Sequence, residues 1–133
     1  MPATRGVHHI AIQVADLPRA ERFYCGVLGL AVLRRWPAAE ADAGRAAERS
    51  LWLDTGGDAF LALERVTSDP AARADIEGRP GLHLVALRIP RAERAAWEAR
   101  LEASGAPIYH RTEFTLYVRD PEGNRVGLSH YGE

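Results

Sequence analysis

The alternation of apolar and polar positions divides the chain into two runs of the same form. Residues 8–14 (HHIAIQV) and 82–89 (LHLVALRI) are rich in β-branched and aliphatic side chains and have the length of strands. Each leads into a helical pattern, LPRAERFY at 17–24 and IPRAERAAW at 89–97. In the first, Asp16 suits an N-cap and Pro18 the first turn, where its missing N–H costs nothing. Ala20, Phe23, Tyr24, Val27 and Leu28 then form one apolar stripe, and Gly29 stops the helix. In the second, Pro90 opens the helix, Trp97 and Leu101 stand four apart, and Gly105 closes it.

Three strand-like segments follow each helix. After the first come Ala31–Trp36, Ser50–Asp54 and Ala59–Glu64, the last two joined by the turn Thr55-Gly56-Gly57-Asp58. After the second come Ile108–Arg111, Phe114–Arg119 and Arg125–Tyr131, with Asp120-Pro121-Glu122-Gly123-Asn124 as the last turn. Residues 37–48 read as an exposed loop or short surface helix, and 68–80 as a linker. The expected class is α+β: one domain over 1–133 built from two βαβββ units, about 7–66 and 82–131. A sheet covered on one face by a helix leaves its other face free, and two such units can share a ligand-binding cup.

Composition narrows the function without naming it. The 133 residues are 47% hydrophobic, ordinary for a folded domain, and the net charge of −1 exerts no pull on nucleic acid or an anionic membrane. No run approaches the roughly 18 apolar residues of a membrane span, and the N-terminus lacks a secretory pattern, so a cytoplasmic location is expected. The single cysteine, Cys25, lies inside the first helical pattern and reads as an inert packing residue. There is no phosphate-cradling glycine loop, no cysteine pair for structural zinc and no basic-aromatic stripe.

The segments H-H-I-A-I-Q-V-A-D-L at 8–17, F-Y-C-G-V-L-G-L at 23–30 and R-D-P-E-G-N-R-V-G-L-S-H at 119–130 resemble the vicinal oxygen chelate superfamily. That group includes glyoxalase I, bleomycin-resistance proteins and extradiol dioxygenases. The resemblance implies a cup in which the first and last strands of each half can hold one divalent metal (Zn, Ni, Mn or Fe). The first-strand places fall on His9 and His83; the last-strand places fall on Ala62 and Gly127, neither of which carries a carboxylate. Glu64 shares a face with Ala62 but stands two residues along, about 6.5–7 Å at the strand rise. Gln13, Phe60, Tyr117 and Arg119 are the ligand-contact candidates from the same alternation.

Two functions follow from the resemblance. One is a small-molecule-binding protein with an incomplete metal site, sequestering an antibiotic-like ligand. The other is a metal-dependent enzyme of glyoxalase or dioxygenase type using His9, His83 and Glu64. The empty carboxylate places favour the first. The family also implies a homodimer.

Overall fold

The computed structural model describes residues 1–38, 48–66 and 80–133. Nearly all of the loop expected over 37–48 and of the linker expected over 68–80 lies outside them. The chain divides into two compact units, Met1–Pro70 and Ala71–Glu133. The first runs β1 (His9–Val14), α1 (Leu17–Glu21), β2 (Ala31–Pro37), β3 (Glu48–Asp54) and β4 (Phe60–Arg65). The second runs β5 (Val85–Arg88), α2 (Arg94–Ser104), β6 (His110–Arg111), β7 (Thr115–Arg119) and β8 (Arg125–Ser129). Strand order is β1-β4-β3-β2 in one sheet and β5-β8-β7-β6 in the other, the same mixed topology twice.

In each sheet the first strand pairs parallel with the last, and the remaining neighbours are antiparallel. In the first unit Ile12, Val14, Leu51, Leu53, Leu61 and Leu63 alternate onto one face and are buried. Leu17, Ala20, Phe23, Tyr24 and Leu28 are the buried residues of the following helical segment. In the second unit Val85, Leu116, Val118, Val126 and Leu128 form the buried face, and Leu101 of α2 is fully buried. Each such side chain stabilises its unit by about 1.5–3 kcal/mol.

The first helix departs from the regular stripe. Asp16 caps it as expected, its Oδ1 accepting from the Arg19 N–H at 3.0 Å. Beyond Glu21, however, the chain widens into a π-helical segment over Arg22–Val27, in which the Leu28 N–H donates to the Phe23 carbonyl five residues back. Along this segment Leu28 is buried and Val27 half-buried. Gly29 (φ 77°) and Gly105 (φ 76°) end the two helical segments in the left-handed region that their missing Cβ permits.

The D-P-E-G-N turn is organised by Asp120, which is 4% exposed. Its Oδ1 accepts from the Glu122 and Asn124 N–H groups, each at 2.9 Å, and its Oδ2 from Asn124 Nδ2 at 2.8 Å. Charge-assisted bonds of this kind contribute about 1.5–3 kcal/mol each when well aligned, and less where water can replace the partner. Asp120→Ala is expected to lower unfolding free energy by about 2–4 kcal/mol in urea denaturation. Asp120→Asn, which keeps one acceptor, should lose about half as much; equal loss in both would show that charge, not the acceptor, organises the turn.

Candidate functional site

The face of the first sheet turned away from the buried leucines carries the candidate site. Three register pairs run along β1 and β4: His9 beside Phe60, Ala11 beside Ala62, Gln13 beside Glu64. On β3 the same face presents Ser50, Trp52 and Asp54, since Trp52 pairs with Ala62 and Ser50 with Glu64. On β2 a bulge at Leu33 interrupts the register between Val32 and Arg34. One inserted residue reverses the alternation that follows, so Arg34 pairs with Trp52, Trp36 with Ser50, and both join the open face.

The outcome is a row of rings crossing all four strands. His9 stacks on Phe60 with centroids 4.7 Å apart and planes 5° from parallel. Phe60 stacks on Trp52 at 4.5 Å and 29°. Trp52 meets Trp36 at 5.0 Å but at 61°, edge against face. The Arg34 guanidinium lies 3.7 Å from the Trp36 ring centroid and closes the row as a cation–π contact. Beside its β2 end, Trp36, Arg49, Ser50, Trp52, Glu64 and Arg65 line a cavity of about 360 Å³.

The expected metal ligands fare differently. Glu64 stands four residues beyond Phe60, the partner of His9, a separation along the ladder of about 13 Å at the strand rise. Metal bonds of about 2.0–2.2 Å leave two side chains that far apart unable to share an ion. Ala62, at the carboxylate place, is buried and has no donor.

In the second unit β5 begins at Val85, three residues later than the strand expected from 82, and Ala86 pairs with Gly127. Counting back as His9 stands from Ala11, the first-strand place falls on Leu84, not His83. Leu84 Cδ1 lies 3.6 Å from where a Cβ on Gly127 would sit, so it faces that side. His83 precedes the strand one position out of phase. Its Nδ1 is 3.0 Å from Arg125 Nη1. A guanidinium can only donate, so Nδ1 accepts and the ring proton rests on Nε2. At Gly127 a Cβ would also meet Thr115 Cγ2 at 3.3 Å, tighter than ordinary contact, and Ala86 Cβ at 3.4 Å, at its near limit. These residues do not fit a chelated divalent metal. Among the described residues no group of three or more His, Cys, Asp or Glu side chains could hold one.

The remaining candidates divide between the units. Gln13 is exposed on the open face of the first, and Phe60 is the centre of its ring row. Tyr117 lies on β7 opposite Gly127, near the rings of His110 (5.4 Å) and Tyr109 (6.2 Å). Arg119 donates to the Gly123 carbonyl at 3.0 Å and lies 4.8 Å from the Tyr109 ring centroid, which ties it to its own turn. Sequence reasoning passed over Ser50 and Trp52, although the alternation Ser50-Leu51-Trp52-Leu53-Asp54 signals them. It also passed over Trp36, for which the bulge left no signal.

Cys25 is half-buried, and its thiol pKa is raised by burial and by the nearby Glu21 carboxylate, with Arg35 opposing. The thiolate is the reactive form. Iodoacetamide labelling of the folded protein at pH 7 is therefore expected to run more slowly than that of a free thiol and to accelerate as pH rises past the usual cysteine range. Labelling as fast as free cysteine at pH 7 would contradict the inert reading.

The family model described as the glyoxalase/bleomycin resistance protein/dioxygenase superfamily matches residues 6–128. No curated protein matches the chain in sequence. Among solved structures, lactoylglutathione lyase from Agrobacterium tumefaciens is 24% identical with a TM-score of 0.71, over 99% of this chain and 100% of that one. The trypanothione-dependent glyoxalase I of Leishmania major is 25% identical with a TM-score of 0.69, over 96% and 87%. TioX from Micromonospora sp. ML1 is 21% identical with a TM-score of 0.67, over 95% and 98%. The likenesses below 25% identity carry the fold alone.

Proposed function

This chain belongs to the glyoxalase/bleomycin resistance protein/dioxygenase superfamily, and within it we propose a small-molecule-binding member that sequesters an antibiotic-like ligand without a chelated metal. What supports this reading is that the places where the family resemblance would put chelating groups carry apolar side chains. Ala62 stands in the first unit, and Leu84 and Gly127 stand together in the second. Metal polarisation of a substrate oxygen needs an ion fixed at an open coordination position, and these side chains fix none. Binding instead draws on the rings of the first unit's open face together with the polar groups among them, Ser50, Glu64, Arg49 and Arg65.

His9 has a part in this reading that needs no ion. Its imidazole extends the ring row beyond Phe60, and its Nδ1 shares a hydrogen bond with His8 Nδ1 at 2.9 Å. Gln13 supplies a polar contact on the same face of the first unit, and Tyr117 and Arg119 remain the contact candidates of the second unit taken by itself. A cytoplasmic homodimer completes the proposal. Among the described residues no helix is long and apolar enough to cross a membrane. Among the described residues β1, β2, β5 and β6 are the edge strands of their sheets, which gives chain association a physical motive.

Two measurements test the reading. Adding Zn, Ni, Mn or Fe(II) ions to chelator-treated protein is expected to leave the melting temperature unchanged. An ion at a hundred times its dissociation constant would add about 2.7 kcal/mol if it bound the native state alone. Stabilisation of the wild-type chain that disappears in both His9→Ala and His83→Ala would overturn metal-free binding. Equilibrium sedimentation at micromolar concentration should return the mass of two chains; the mass of one refutes the dimer.

A further inference from the structure

The open face of the first unit leaves two polar atoms unsatisfied at one place. Trp36 Nε1 and Ser50 Oγ are buried without a hydrogen-bond partner among the described residues, and Ser50 is only 5% exposed. Buried polar groups are almost always paired, because an unmade bond forfeits the hydration that burial removed. The two residues are cross-strand partners, and both line the cavity of about 360 Å³. An indole N–H can only donate, and a serine hydroxyl can donate as well, so the missing partner is an acceptor.

The walls define the rest of the ligand. The stack His9–Phe60–Trp52 ends at Trp52, against which Trp36 packs edge to face at 61°, so the two indoles present differently oriented ring surfaces to the cavity they both line. A flat ring meets aromatic side chains in such offset arrangements more favourably than a saturated one. Arg49 and Arg65 face one carboxylate, Glu64, around the cavity, so its charge favours an anion. The volume lies near the lower end of the roughly 300–1,000 Å³ usual for small-molecule sites, which suits a body of a few fused rings.

We propose that this cavity takes a planar aromatic carboxylate, its ring against Trp52 and Trp36 and its oxygen accepting from Trp36 Nε1–H and Ser50 Oγ–H. The proposal rests on the reading that the chain binds a small molecule on this face, and names the chemical class it selects.

The probe is 2-naphthoate, followed by the upfield shift of its ring protons and by tryptophan fluorescence, on the full chain without added metal. Decalin-2-carboxylate, the saturated counterpart, and 2-naphthylmethylammonium, with the charge reversed, are the controls. Saturable binding of naphthoate alone is expected. Trp36→Phe keeps a ring and loses the N–H, and should weaken binding about fivefold, as should Ser50→Ala. Trp52→Leu should weaken it about tenfold. Far-UV circular dichroism and melting temperature establish that each variant is folded.

Absence of saturable naphthoate binding overturns the proposal. So does equal binding of either control, or unchanged affinity in folded Trp36→Phe and Trp52→Leu. Failure of the underlying reading shows separately, as metal-dependent stabilisation of the same protein with no probe present.

Discussion

Pairing of the first strand with the last, β1 on β4 and β5 on β8, is the constraint from which the rest of each unit follows. With the last strand inserted beside the first, the strand that follows the helix lies at the opposite edge of the sheet, so the helix crosses the sheet from β1 to β2 and from β5 to β6. The pleat then does the sorting. Leu61 and Leu63 go to the covered face, Phe60, Ala62 and Glu64 to the open one, and neither set can move without the other. Register is held strongly because a slip of one residue would expose the leucine face to water.

The same constraint determines which chemistry the open face can perform. A chelated ion needs several donors converging from adjacent strands within a few ångströms. In the first unit the ladder sets Ala62 beside Ala11, and in the second it sets Gly127 beside Ala86 with Leu84 just before the strand, none of which carries a donor. What the first ladder assembles is a row of rings, with His9 stacked on Phe60 at one end of it. The stack is held by dispersion and quadrupole contacts, which suit flat ligands and need no coordination sphere.

Local features around this framework are structural in origin. The D-P-E-G-N segment, conspicuous in the sequence, is accounted for by a buried carboxylate that satisfies three donors of its own turn. Arg94 plays a comparable part in the second unit, donating to the carbonyls of Glu113 (3.0 Å) and Thr112 (2.9 Å) and lying 3.3 Å from His130 Nε2. His130 points away from the open face, as alternation from Gly127 requires, and is buried near Phe114.

Read by itself, the chain determined its fold: the duplicated strand-helix runs, both helix stops and the two turns are local matters of periodicity, capping and glycine conformation, and these act on a few neighbouring residues. It also determined that Ala62 and Gly127 offer no carboxylate. Tertiary structure decided the faces. The bulge at Leu33 turns Trp36 outward, and the late start of β5 exchanges His83 for Leu84 at the place beside Gly127. Both depend on register between strands far apart in sequence, where one residue of slip reverses every side chain and no local pattern records which way the slip went.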